Sequence, residues 1–138
     1  MEKTLVLVKP DAFKGHHTGD IVKRYEDEGL SLLAMRMMKM TKEVAAKHYV
    51  EHIGRPYYEE LETFMTSGPI VAMVLAGEDA IAKVRAVNGA TDPKEAAAGT
   101  IRKLYAASKG ENAVHASDSP ESAAREIHIF FNETEIFD

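Results

Sequence analysis

Short apolar runs along the chain alternate with segments whose apolar residues recur every three to four positions, and the two periods separate strands from helices. Leu5-Val6-Leu7-Val8 predicts a strand from about Thr4 to Lys9. Pro10 has no amide hydrogen and biases Lys9 toward extended backbone, so that strand should stop with Lys9 at its carboxyl edge. A glycine-bearing loop from Lys14 to Thr18 leads to a helix over Gly19 to Asp27, with Ile21, Val22 and Tyr25 on its apolar side and Gly29 as its stop. Leu30 to Met40 predicts a long strand. Leu32, Ala34, Arg36, Met38 and Met40 alternate there with Leu33, Met35, Met37 and Lys39, so both faces should be covered for much of its length.

Thr41 can cap a short helix carrying Glu43 through His48, and Tyr57 to Thr66 reads as another after Arg55-Pro56. Gly68-Pro69 separates that helix from a strand over Ile70 to Leu75, and Asp79 to Val87 follows as an amphipathic helix through Ile81, Val84 and Val87. From Asn88 to Asn112 the pattern is irregular, and a connection of that length is unusual unless it serves a site or an interface. Ser119-Pro120 starts a last helix, with Ile127 to Phe131 expected as the final core strand. Two strand-helix-strand halves predict an α+β sheet with helices mainly on one face; a doubly wound parallel sheet is the structural alternative.

The 138 residues, 45% of them hydrophobic, suit one globular domain spanning residues 1-138. There is no cysteine, which excludes disulfides and thiolate metal sites. Met1-Glu2-Lys3-Thr4 leads straight into a strand too short for a secretory segment or a membrane span, so a cytoplasmic protein without membrane attachment is expected. A net charge of -5 argues against non-specific attraction to nucleic acid. It leaves room for a local basic site, and Lys9, Arg55, Arg85 and Arg102 could form one around a compact polyphosphate if the fold gathered them.

The candidate chemistry lies in Asn112-Ala113-Val114-His115-Ala116-Ser117-Asp118-Ser119, where small and polar residues surround one histidine. A largely unprotonated imidazole can attack phosphorus without a dedicated base. Together with Lys9-Pro10-Asp11 near the start, this segment resembles the pattern of nucleoside diphosphate kinases. The resemblance continues through His48-Tyr49, Arg55-Pro56-Tyr57-Tyr58, Ser67-Gly68-Pro69, Gly89-Ala90-Thr91-Asp92-Pro93, Gly99-Thr100-Ile101-Arg102 and Glu121 to Ile127, covering essentially the whole chain in order.

That resemblance implies a ferredoxin-like βαββαβ core with a four-stranded antiparallel sheet. It also implies ping-pong transfer of the terminal phosphoryl group from a nucleoside triphosphate to a nucleoside diphosphate. His115 is the implied nucleophile, oriented by Glu126 with support from Ser117. Lys9, Tyr49, Arg85, Thr91 and Arg102 are the implied phosphate contacts, with Lys9 and Asn112 reaching the sugar. Tyr57 would stack on the base, with Leu61 one turn later. Mg2+ should enter with the nucleotide, with no direct protein ligand and Asp118 reaching it only through a water. A homo-oligomer, hexamer or tetramer, is implied, and the loop at Thr91-Asp92-Pro93 is the suspected subunit contact.

Five positions depart from the family pattern. Lys103-Leu104-Tyr105 replaces glycine, aspartate and an aromatic, Ala116 replaces a glycine, and Lys109 stands where an aliphatic residue lines the base pocket. A methyl at Ala116 matters only if the backbone there needs positive φ. Two other readings remain open on sequence: a non-catalytic nucleotide-binding module of the same fold, and a histidine metal site using His48 and His52 or His16-His17.

Overall fold

The computed structural model describes residues 1–138. Four strands form one sheet: β1 (Glu2–Val8), β2 (Ser31–Met38), β3 (Ile70–Gly77) and β4 (Val114–Ala116). Their order is β2-β3-β1-β4, and every neighbouring pair is antiparallel. This is the ferredoxin-like arrangement, and it rules out the parallel alternative.

Seven helices pack around the sheet: α1 (Pro10–Lys14), α2 (Thr18–Asp27), α3 (Lys42–His48), α4 (Tyr58–Met65), α5 (Ala80–Asn88), α6 (Ile101–Tyr105) and α7 (Pro120–Phe130). They cover both faces, contrary to the one-sided packing expected from sequence. Alternation along β1 shows why: Leu5 and Leu7 join a core with Ala45, Met65, Ile127 and Phe130, while Val6 and Val8 join a second core with Ile21, Tyr25, Val84 and Ile101. β1 and β3 therefore sit between two helical layers, and all eight residues of β3 are buried.

Two strand assignments need correction. Ile127 to Phe131 is not the final strand, because α7 continues through Phe130. Ser119 caps that helix by accepting from the Ser122 amide at 3.1 Å, Pro120 takes its first position, and Ala123, Ile127 and Phe130 recur at helical spacing on the buried side. The last strand is β4, whose three residues are too few to reveal a period. The second correction concerns β2, which lies at the sheet edge with Met35 53% and Met37 63% exposed. Its apolar alternation thus overstates its coverage.

α1 follows the first strand directly where the sequence predicts no element, and α6 lies inside the irregular stretch from Asn88 to Asn112, where side chains tie it to α2. Arg24 and Tyr105 both donate to the Asp20 carboxylate, His17 stacks on Tyr105 at 4.0 Å, and Arg24 also donates to the Gly99 carbonyl at 2.9 Å. Tyr105, one of the departures from the family pattern, thereby ties α6 to α2. Gly89, at φ 85°, closes α5 where a Cβ would approach the Thr100 side chain to 2.5 Å, so no larger residue fits.

Candidate active site

β4 lies along the carboxyl half of β1, with His115 opposite Leu7. This pairing carries the histidine across the end of the sheet beside Lys9. The Lys9 amide donates to the Ala113 carbonyl at 2.9 Å, and the Asp11 carboxylate accepts from the Ala113 amide at 3.0 Å. Lys9-Pro10-Asp11 is thus the clamp that holds the histidine segment. Within it, Ala113 takes φ 74°, whereas Ala116 does not have positive φ and its methyl causes no backbone strain.

His115 Nε2 lies 2.9 Å from Glu126 Oε1. The same oxygen accepts the Ser117 hydroxyl at 2.8 Å, and Arg125 stands 3.7 Å from Oε2. Glu126 reaches this position because α7 turns it inward on its buried face. A carboxylate only accepts, so the proton of a neutral His115 resides on Nε2 and its Nδ1 keeps a free lone pair. With its side chain 22% exposed, the ring opens onto a cavity of about 330 Å³.

Lys9, Arg85 and Arg102 line that cavity, and Arg125, which sequence reasoning did not single out, joins them. Arg55 does not. Arg102 is buried and donates to the carbonyls of Gly89 at 2.8 Å and Val114 at 2.9 Å, leaving its Nε without a partner. Lys9 donates to Asn112 Oδ1 at 2.8 Å, and its amine is pushed down from 10.5 to about 8 by burial, then by Arg102, against an opposing pull from Asp11. Burial likewise lowers Arg102. These cations are held in low dielectric without an anion sufficient to balance them.

Tyr49, Leu61, Thr91, Asn112 and Asp118 also line the cavity, so the fold gathers nearly all the residues named from sequence. The Tyr49 hydroxyl is buried with no partner, and burial raises its ionisation. Tyr57 stands apart from the lining at 49% exposed, hydrogen-bonded to His52 at 2.5 Å. Lys109 is also outside the lining; its carbonyl accepts from Asn112 Nδ2 at 2.9 Å.

The sequence offers His48 within the His48-Tyr49 segment of the family pattern and as half of a candidate metal pair, with no role beside His115. Its ring is buried edge-on to His115 at a centroid distance of 4.5 Å, and burial, with His115 second, pushes its protonation down to about 2. It is a neutral wall beside His115. His48 and His52 do not form a metal pair, since His52 turns to Tyr57 and His17 to Tyr105. The group that does converge is His48, His115 and Glu126, with donor atoms within 4.8 Å of one another. Its nitrogen-rich donors do not suit Mg2+, which favours oxygens.

An oriented imidazole among four cations, set on this α+β fold, defines a site of phosphotransferase type. A nucleoside diphosphate kinase family model matches residues 2–136. Among relatives, the nucleoside diphosphate kinase of Persephonella marina is 53% identical over 136 residues, 99% of this chain and 97% of that protein. That of Bacillus licheniformis is 52% identical over 99% of this chain and 92% of its own length. The structure of the Aquifex aeolicus nucleoside diphosphate kinase superposes with a TM-score of 0.95 at 48% identity, covering 98% of each chain. A halophilic nucleoside diphosphate kinase from Halobacterium salinarum, solved in complex with CDP, gives 0.96 at 43% identity over 99% of this chain and 91% of that one. The chain belongs to the nucleoside diphosphate kinase family.

Proposed function

We propose that this enzyme of nucleotide phosphoryl transfer works through His115. The observation that carries the proposal is the fixed ring: Glu126 engages Nε2, so the Nδ1 lone pair is the free nucleophile in a cation-lined cavity. In the first half-reaction Nδ1 attacks the γ-phosphorus of a nucleoside triphosphate. The N–P bond forms as the bond to the β–γ bridging oxygen breaks, and the nucleoside diphosphate leaves with that electron pair. Positive charge developing on the imidazole is stabilised by Glu126, itself held by Ser117. In the second half-reaction a terminal oxygen of a different nucleoside diphosphate attacks the same phosphorus, and the pair in the N–P bond returns to Nδ1.

Lys9 and Arg102 offset charge on the transferring group, with Arg85, Thr91 and Tyr49 as further donors to phosphate oxygens. Lys9 and Asn112 reach the sugar, while Tyr57 and Leu61 serve the base. Stacking on a π face accepts every base, so one pocket serves donor and acceptor in turn.

A nucleotide polyphosphate generally carries a divalent metal, and in this reading it is Mg2+. The cavity fits a metal delivered by the nucleotide. Four cations line it against three carboxylates; Glu126 is engaged with His115 and Ser117, Glu51 and Asp118 are exposed, and in this reading Asp118 reaches the ion through a water. When bound, the ion would offset the negative charge of the phosphates, and Asp118 would hold it through a water.

The same reading makes the protein a cytoplasmic homo-oligomer, hexamer or tetramer, built from one domain over residues 1-138. No helix is long and apolar enough to cross a membrane.

The test is incubation with γ-labelled ATP, removal of nucleotide and addition of an unlabelled diphosphate. Label should be acid-labile, alkali-stable and released to the diphosphate. Normal labelling and turnover in His115→Ala would refute the assignment.

A further inference from the structure

A continuous line of rings runs from the nucleophile to the cavity mouth. His115 meets His48 at 4.5 Å, His48 meets Tyr49 at 4.5 Å, Tyr49 meets His52 at 5.9 Å, and His52 meets Tyr57 at 5.6 Å. Each contact is edge-to-face, with interplanar angles from 63° to 83°. The last member is half exposed and lies outside the cavity lining, whereas His52 lies within it. One hydrogen bond closes the gap between them, His52 Nδ1 to the Tyr57 hydroxyl at 2.5 Å.

We propose that His52 is a positioning residue for nucleotide binding: its bond to Tyr57 pins that ring at the cavity mouth as a platform for the nucleobase, purines above all. The inference rests on the proposed role of Tyr57 as the base-stacking ring. An unpinned tyrosine on the surface samples several rotamers, and ordering it would weaken binding. His52 removes that cost because its own ring is fixed against Tyr49, which is buried. The bond survives either protonation state of the imidazole, since neutral Nδ1 accepts from the phenol and protonated Nδ1 donates to it. Purines present the larger stacking face and should gain most.

A double-mutant cycle read by calorimetry of ADP and CDP binding tests this directly. His52→Leu should weaken ADP binding roughly two- to tenfold, the scale of one net hydrogen bond, and CDP binding less. Tyr57→Phe should produce a similar loss, with the double variant no worse than either single one. His52→Gln, which can accept from the phenol, should recover most of the affinity. In turnover the loss should fall on KM and leave kcat within about twofold, a split that a general loss of structure does not produce. Unchanged ADP affinity in His52→Leu, or a loss that persists undiminished in the Tyr57→Phe background, overturns the proposal. Because calorimetry requires no phosphoryl transfer, its result is independent of whether label appears on His115.

Discussion

Replacing Lys9 with methionine should abolish phosphoryl transfer and stabilise the protein at neutral pH. The buried amine is lowered from 10.5 to about 8, which at about 1.4 kcal/mol per decade corresponds to roughly 3 kcal/mol of cost for its charged form. Methionine has comparable length and removes that cost. It leaves Asn112 Oδ1 without its lysine donor, a loss of about 1 kcal/mol. The net expectation is about 2 kcal/mol, or roughly 5–10 °C in Tm. The pH dependence fixes the cause. Above pH 8 the folded protein has released the proton, whereas an unfolded lysine keeps it up to about 10.5. Between those values the unfolded state binds more protons, so the natural protein gains stability as pH rises and the variant's advantage shrinks. Thermal melts followed by circular dichroism at pH 7 and pH 9.5, without nucleotide, measure both quantities. A Lys9→Met protein less stable than its parent at pH 7, or an advantage unchanged at pH 9.5, would refute the reasoning.

Glu126→Gln keeps the shape of the contact and removes its charge, so phosphoenzyme formation measured by rapid quench should slow roughly a hundredfold or more. Ala113→Gly relieves the positive φ at the head of β4 and should raise stability by up to about 1 kcal/mol in urea titration. Tyr105→Phe deletes the hydroxyl bond to Asp20 and should cost about 1 kcal/mol in the same assay, with transfer rates kept within about twofold because Tyr105 lies outside the cavity lining.

The helices with long periodic faces were legible in the sequence, as was the first strand, because Pro10 ends it by a local rule. The end of α7 was not. Ile127, Ile129, Phe130 and Phe131 form a dense apolar cluster that reads as a strand until the Ser119 cap is allowed to propagate a helix through it. β4 escaped because three residues define no period, and its place depends on pairing with Val6 to Val8, more than a hundred positions away. Coverage of β2 was overread since alternation cannot tell an edge strand from a central one. The site residues were recognisable by resemblance, but the division of labour between the two His115 nitrogens required the position of Glu126. His52 carried no sequence signal beyond its spacing from His48, and its bond to Tyr57 emerges only once the turn after α3 is folded. Arg125 looks like an ordinary helix charge until α7 brings it to the cavity rim.

The most direct measurement is the position of the phosphate on the trapped intermediate, read by phosphorus–nitrogen coupling in NMR spectra of phosphoenzyme carrying nitrogen-labelled histidine. Engagement of Nε2 by Glu126 at 2.9 Å predicts phosphate on Nδ1 of His115. Phosphate on Nε2, on another of the six histidines, or on no histidine at all would contradict the account.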